Sequence, residues 1–143
     1  MITVRQLLRG KGHDVWYIAP DASVYDALKL MAIKEIGSLL VLEGEELVGI
    51  ISERDYARKV VLKEKTTVDT PVKEIMTQEV ISLRPEQTIQ ECMALMTDKR
   101  IRHLPVLEND RLVGIISIGD VVKAIISQQE FMIEQLEKYI EGG

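Results

Sequence analysis

Leu47-Val48-Gly49-Ile50-Ile51-Ser52 recurs unchanged as Leu112-Val113-Gly114-Ile115-Ile116-Ser117, and the two stretches stand 65 residues apart. Carried outward, that offset aligns residues 20–58 with residues 85–123 without a gap and gives about 16 identities. Pro20 meets Pro85, Leu30-Met31 meets Leu95-Met96, Val41-Leu42-Glu43 meets Val106-Leu107-Glu108, and Asp55 meets Asp120. Two unrelated amphipathic segments would not keep one register through loops and turns, so the chain is read as a duplication. A further echo precedes each copy: Val4-Arg5-Gln6-Leu7-Leu8 resembles Val72-Lys73-Glu74-Ile75-Met76. The first copy then carries about three extra residues, at Arg9-Gly10-Lys11-Gly12-His13-Asp14.

Each copy reads as β-α-β-β-α. Val15–Ile18 and Val80–Leu83 are short β-prone runs ended by a proline. Ser23 and Thr88 open helices, and Thr88-x-x-Glu91 matches a capping box. Val24, Ala27, Leu28 and Met31 then form an apolar stripe, repeated as Ile89, Cys92, Met93 and Met96, which makes Cys92 a core residue. Two β runs follow, joined at Gly44-Glu45 or Asn109-Asp110 as a hairpin. A second helix begins at Ser52 or Ser117. Neither copy alone has faces enough to bury its apolar residues, so the expected fold is a mixed α/β pair packed about a pseudo-twofold axis. The predicted division is 1–65 for the first repeat with its N-terminal helix, 66–127 for the second, and 128–143 for a C-terminal amphipathic helix. Phe131, Met132, Leu136, Tyr139 and Ile140 give that helix an apolar face suited to self-association or to a partner protein.

Composition narrows the function. A net charge of -5 disfavours a general nucleic-acid binder, because phosphate backbones reward a positive surface. No apolar run approaches the roughly 20 residues of a membrane span, and no basic leader precedes an apolar stretch. One cysteine and two histidines provide neither an internal disulfide nor a zinc set. A reducing, cytoplasmic setting is expected. Gly-x-Gly-x-x-Gly, Gly-x4-Gly-Lys-Ser/Thr and His-Glu-x-x-His are absent, and Gly10-Lys11-Gly12 lacks phosphate-loop spacing. No enzyme activity is expected.

The doubled Gly-Ile-Ile-Ser-x-x-Asp, with Leu104-Pro105-Val106-Leu107 before the hairpin turn and Ile75-Met76-Thr77 before a copy, resembles tandem cystathionine-β-synthase-type (CBS) domains, the Bateman module. The resemblance covers essentially the whole chain and implies a stand-alone CBS pair. It further implies adenosine-containing ligands, AMP, ATP, NAD(H) or S-adenosylmethionine, bound in clefts between the copies, and a separate effector protein. Homodimerisation is expected with it. The family's motif aspartate takes the ribose hydroxyls, which gives that role to Asp55 and Asp120. The same residues have a plain structural use, since Ser-x-x-Asp caps a helix for about 1 kcal/mol whatever the ligand.

The copies are unequal. The first site gathers Gly37, Ser38, Ser52, Arg54 and Asp55, with Met76 and Thr77 lining it more weakly; the second gathers Arg102, His103, Ser117 and Asp120. Arg54 is the phosphate candidate of the first, and Arg102 with His103 of the second. The leading expectation is an adenine-nucleotide sensor of the AMP/ATP class. An NAD(H) redox sensor on the same scaffold and a ligand-independent interaction module are the alternatives.

Overall fold

The computed structural model describes residues 2–12 and 15–142; His13 and Asp14 of the insertion lie outside them. The elements run α1 (Val4–Lys11), β1 (Tyr17–Ile18), α2 (Val24–Lys34), β2 (Ser38–Glu43), β3 (Glu46–Ser52), α3 (Glu53–Tyr56), α4 (Val72–Ile75), α5 (Ile89–Lys99), β4 (His103–Glu108), β5 (Arg111–Ser117) and α6 (Ile118–Gly142). A π-helical turn, Ala57–Val61, continues α3. This is the expected mixed α/β fold, with a three-stranded sheet β1-β2-β3 in the first copy and a two-stranded sheet β4-β5 in the second.

In the first repeat β1 runs parallel to β2 and β2 antiparallel to β3. Val41 faces Gly49 while Leu42 faces Leu47, which leaves Val48 as a bulge. The core joins Val24, Ala27 and Met31 of α2 to Leu39, Val41 and Ile51 of the sheet and to Val72 and Ile75 of α4. Val24, Ala27 and Met31 are the buried members of the predicted stripe, and Ile89, Cys92 and Met96 repeat them in α5. Both helices end on a left-handed residue, Glu35 or Arg100, each at φ 55°. The next amide then bonds back to the carbonyl of Met31 or Met96, each at 3.0 Å.

The second repeat departs from the sequence expectation at three places. Val80–Leu83 is not a full strand: Leu83 alone forms a parallel bridge, to Val106. Pro105 stands where the first repeat has Leu40, and proline brings no N–H to a ladder. The capping box at Thr88 is half made, the hydroxyl accepting from the Glu91 amide at 3.1 Å, and among the described residues the Glu91 carboxylate makes no return bond. The predicted C-terminal helix is not separate either. With no proline or glycine between Asp120 and Glu141, α6 runs unbroken through residues 127 and 128.

Spatial grouping also crosses the predicted division of the sequence. One compact unit comprises Val15–Ile81 with Asn109–Leu112; the other joins the N-terminal segment to Ser82–Glu108 and the chain from Val113 onward. Thus α1, which precedes the first repeat, packs with the second, and α4, which precedes the second, packs with the first. The two dockings agree bond for bond. Val4 and Arg5 donate to the carbonyls of Gln87 and Pro85, as Val72 and Lys73 donate to those of Ala22 and Pro20. Ile89 donates to Ile2, as Val24 donates to Thr70. Side chains repeat the pattern. Arg5 bridges Glu86 and Glu108, while Lys73 pairs with Asp21 at 2.9 Å and lies in the field of Glu43. Hydrogen bonding to Arg5 holds Glu108 below the usual carboxylate range.

The repeated glycines are where these helices seat. A Cβ on Gly49 would lie 2.7 Å from Met76 Sδ and 3.0 Å from the Thr77 carbonyl oxygen, and one on Gly114 would lie 2.6 Å from Leu8 Cδ2. Gly49→Ala and Gly114→Ala are therefore each expected to cost about 1–3 kcal/mol in urea unfolding. Leu8→Ala should relieve Gly114→Ala in a double-mutant cycle, with a coupling of about 1 kcal/mol or more. Met76→Ala should relieve Gly49→Ala less, because the Thr77 backbone stays in the way; strict additivity in both cycles would contradict the seating.

Candidate functional site

Each repeat ends its hairpin by delivering a serine to the first turn of a helix. On the first motif the Ser52 hydroxyl accepts from the Asp55 amide at 3.1 Å, and the Ser52 amide and hydroxyl both donate to Asp55 Oδ2 at 3.0 Å. On the second, Ser117 Oγ accepts from the Asp120 amide at 3.1 Å and the Ser117 amide donates to Asp120 Oδ2 at 2.8 Å. Both are full capping boxes, so the structural use of the motif is met in each copy.

Around this frame the predicted residues fall unevenly. Gly37 and Arg102 occupy matching places, their carbonyls accepting from the first helical amides, Glu53 at 3.0 Å and Ile118 at 2.8 Å. Ser38 pairs with Ser52 across the sheet, and Thr77 pairs with Ile50 and donates to Asp55 Oδ1 at 3.4 Å. Gly37, Ser38, Ser52, Asp55 and Thr77 are thus brought together. Met76 is spent on packing against Gly49. Arg54 is exposed and makes no ion pair among the described residues, as does Arg102.

Two lysines absent from the expected set complete the sites. Lys59 Nζ stands 3.0 Å from Asp55 Oδ1 and donates to the Ile75 carbonyl at 2.8 Å. Lys11 Nζ stands 2.6 Å from Asp120 Oδ2 and donates to the Ile115 carbonyl at 2.7 Å. The i, i+4 spacing of Asp55 and Lys59 was a readable signal. Lys11 lies more than 100 residues from Asp120 in an insertion with no motif of its own, and nothing in the sequence pairs them.

The carboxylates differ in what they have left to offer. Both Asp55 oxygens are engaged, Oδ2 by Ser52 and Oδ1 by Lys59 and Thr77. On Asp120, Oδ2 takes the Ser117 amide and Lys11, while Oδ1 has no partner among the described residues. Burial pushes the Asp120 carboxyl up, but bonds from Lys11 and Ser117 outweigh it and leave the group below its ordinary value. Half-buried His103 is pushed below the ordinary 6.5, first by burial, then by Lys11 and Arg102, against the pull of Asp120. Burial, with the field of Asp120, raises the Cys92 thiol to about 11, which keeps it protonated and unreactive near neutral pH.

The model of the CBS domain matches residues 1–62 and again residues 72–127. The chain belongs to the CBS-domain family. It is 39% identical over 150 residues to the CBS domain-containing protein CBSX3, mitochondrial, of Arabidopsis thaliana, covering 99% of this chain and 73% of that one. It is 31% identical to CBS domain-containing protein YhcV of Bacillus subtilis, covering 73% of this chain and 74% of the relative. A solved CBS-domain structure from Burkholderia ambifaria, described as that of a signal-transduction protein, matches with TM-score 0.81 and 52% identity over 89% of this chain and 96% of that one. CBS pairs are generally regulatory modules, and this chain is a pair of CBS repeats. No helix among the described residues is long and apolar enough to cross a membrane.

Lys11→Met removes a positive charge from beside His103, so the ring's pKa is expected to rise toward 6.5, read by proton NMR of the imidazole and assigned against His103→Asn. Because folding lowers this pKa, the unfolded chain binds more protons as pH drops through 6.5, and stability falls there. An unmoved His103 titration in Lys11→Met would contradict the cluster.

Proposed function

We propose that this CBS pair is a sensor of adenosine nucleotides, of the AMP/ATP class, that passes ligand occupancy to a partner protein and catalyses nothing itself. The observation that carries the reading is the open oxygen of Asp120. A half-buried carboxylate at the start of a 25-residue helix keeps an acceptor free among the described residues, beside Lys11, His103 and Arg102. A ribose diol suits the acceptor and a phosphate suits the cations. Asp55, with both oxygens engaged, is the less open of the two motifs. Ser38, Ser52, Arg54 and Thr77 are the residues by which the first site would take a ligand, and Arg102, His103, Ser117 and Asp120 those of the second.

Transmission falls to α6. Beyond Gln128 it is exposed all round and carries Phe131, Met132, Ile133, Leu136, Tyr139 and Ile140 at 56–78% exposure, a face for a second copy or for the effector. A CBS-CP12 protein from bloom-forming cyanobacteria, 30% identical with TM-score 0.69, is described as hexameric, which supports assembly in this family. NAD(H) shares the adenosine and ribose groups and is the alternative ligand.

Calorimetric titration with AMP, ATP, NAD+, NADH and S-adenosylmethionine tests the reading. AMP or ATP is expected to bind, and Asp120→Asn, which keeps the cap acceptor but removes the charge, should weaken that binding by about 10- to 100-fold. Binding by none of the five would overturn the function; equal binding by Asp120→Asn would remove Asp120 from it.

A further inference from the structure

Each motif aspartate holds one ammonium, and the two ammoniums come from unrelated places. Lys59 lies one turn beyond Asp55 in the same helical stretch, whereas Lys11 reaches Asp120 from α1. The repeat offset of 65 places Ala124 where Lys59 would recur, and the offset of 68 that relates α1 to α4 places Glu79 opposite Lys11. Neither lysine is the duplicate of the other. Yet each bonds its aspartate and one backbone carbonyl, of Ile75 or of Ile115. The two copies thus reach one arrangement, an ammonium joining the motif aspartate to a backbone carbonyl, with residues at unrelated positions.

Structural needs are already met without Lys11. The capping box of α6 closes through Ser117 and Asp120 alone. The seat of α1 is fixed by Leu8 against Gly114, by Arg5 between Glu86 and Glu108, and by two backbone bonds to Gln87 and Pro85. What Lys11 does control is Asp120. A ribose presents two adjacent hydroxyls, and a diol engaging both carboxylate oxygens takes Oδ1, which is open among the described residues, and Oδ2, which Lys11 occupies at 2.6 Å. Once displaced, the ammonium, on a side chain 30% exposed, gains from a new anion placed beside it.

We propose that Lys11 is a specificity-determining residue of the second site, which selects phosphorylated nucleosides over neutral ones. The inference rests on the nucleotide-binding reading above. A nucleotide that takes Asp120 hands Lys11 its phosphate in exchange, beside Arg102 and His103. A bare nucleoside takes the same carboxylate and leaves the ammonium unpaired. The selectivity thus arises from a charge exchange, and it depends on α1, an element outside the repeat that carries the motif.

Calorimetry with adenosine and AMP on the full chain decides it, in an Asp55→Asn background that leaves the second motif as the only charged one. With Lys11 present, AMP should bind about 30-fold more tightly than adenosine. Lys11→Met should weaken AMP, strengthen adenosine and bring the ratio below about 3, and Lys11→Arg should restore most of it. Lys11→Gln replaces Lys11→Met if the latter does not fold, with the same expected collapse. An unchanged ratio in these variants, with AMP still binding, overturns the role of Lys11 and leaves the nucleotide reading standing. Binding of neither compound with Lys11 present overturns both.

Discussion

The close seating of a helix against a glycine is the contact on which both units depend. Gly49 and Gly114 sit mid-strand, where a side chain is ordinarily an asset, and each leaves room for one neighbour, the partly buried Met76 or the buried Leu8. The same approach lets Thr77 pair with Ile50 as a short added rung on β3. Because those neighbours belong to segments that precede the other repeat, each unit is closed by chain from outside its own copy. Hydrogen bonds from Val4, Arg5, Val72 and Lys73, and the cations Arg5 and Lys73 beside their acids, fix the register in which the helices lie.

The chemistry of the motifs follows from that exchange. Once α4 is seated, its C-terminal end presents the Ile75 carbonyl to Lys59 and brings Thr77 to Asp55, and both oxygens of that buried carboxylate are taken. Once α1 is seated, its last residue reaches Asp120, and there one oxygen remains open among the described residues. Duplicated backbone thus carries different side-chain circuits. The second copy replaces the charge of Arg54 with Gly119 and sets Arg102 and His103 where the first has Gly37 and Ser38. Equal motifs need not mean equal sites.

Much of this was legible in the residues. The repeated hexapeptide gave the hairpin, the ungapped offset gave the duplication, and the 3-4 spacing of Val24, Ala27 and Met31 gave the buried face of α2. The echo of residues 4–8 in 72–76 marked the paired helices but not their destination, because similarity between segments says nothing about which copy each one covers. Local signals failed where long-range contacts decide. Pro105 thinned the strand read at Val80–Leu83, and Lys11 stood in an insertion whose only pattern was Gly-Lys-Gly. Lys59 was within reach of sequence logic through its spacing from Asp55. The unbroken α6 was legible too, since nothing between Asp120 and Glu141 stops a helix.

Two copies of one frame, closed by exchanged helices, leave among the described residues a single motif with an open carboxylate oxygen and a lysine beside it. The crystal structure of the protein with AMP bound tests that directly. The ribose hydroxyls should lie within hydrogen-bond distance of both oxygens of Asp120, with Lys11 Nζ moved from the carboxylate to the phosphate. AMP bound with Lys11 still on Asp120, or with its ribose held by other groups, would contradict the account.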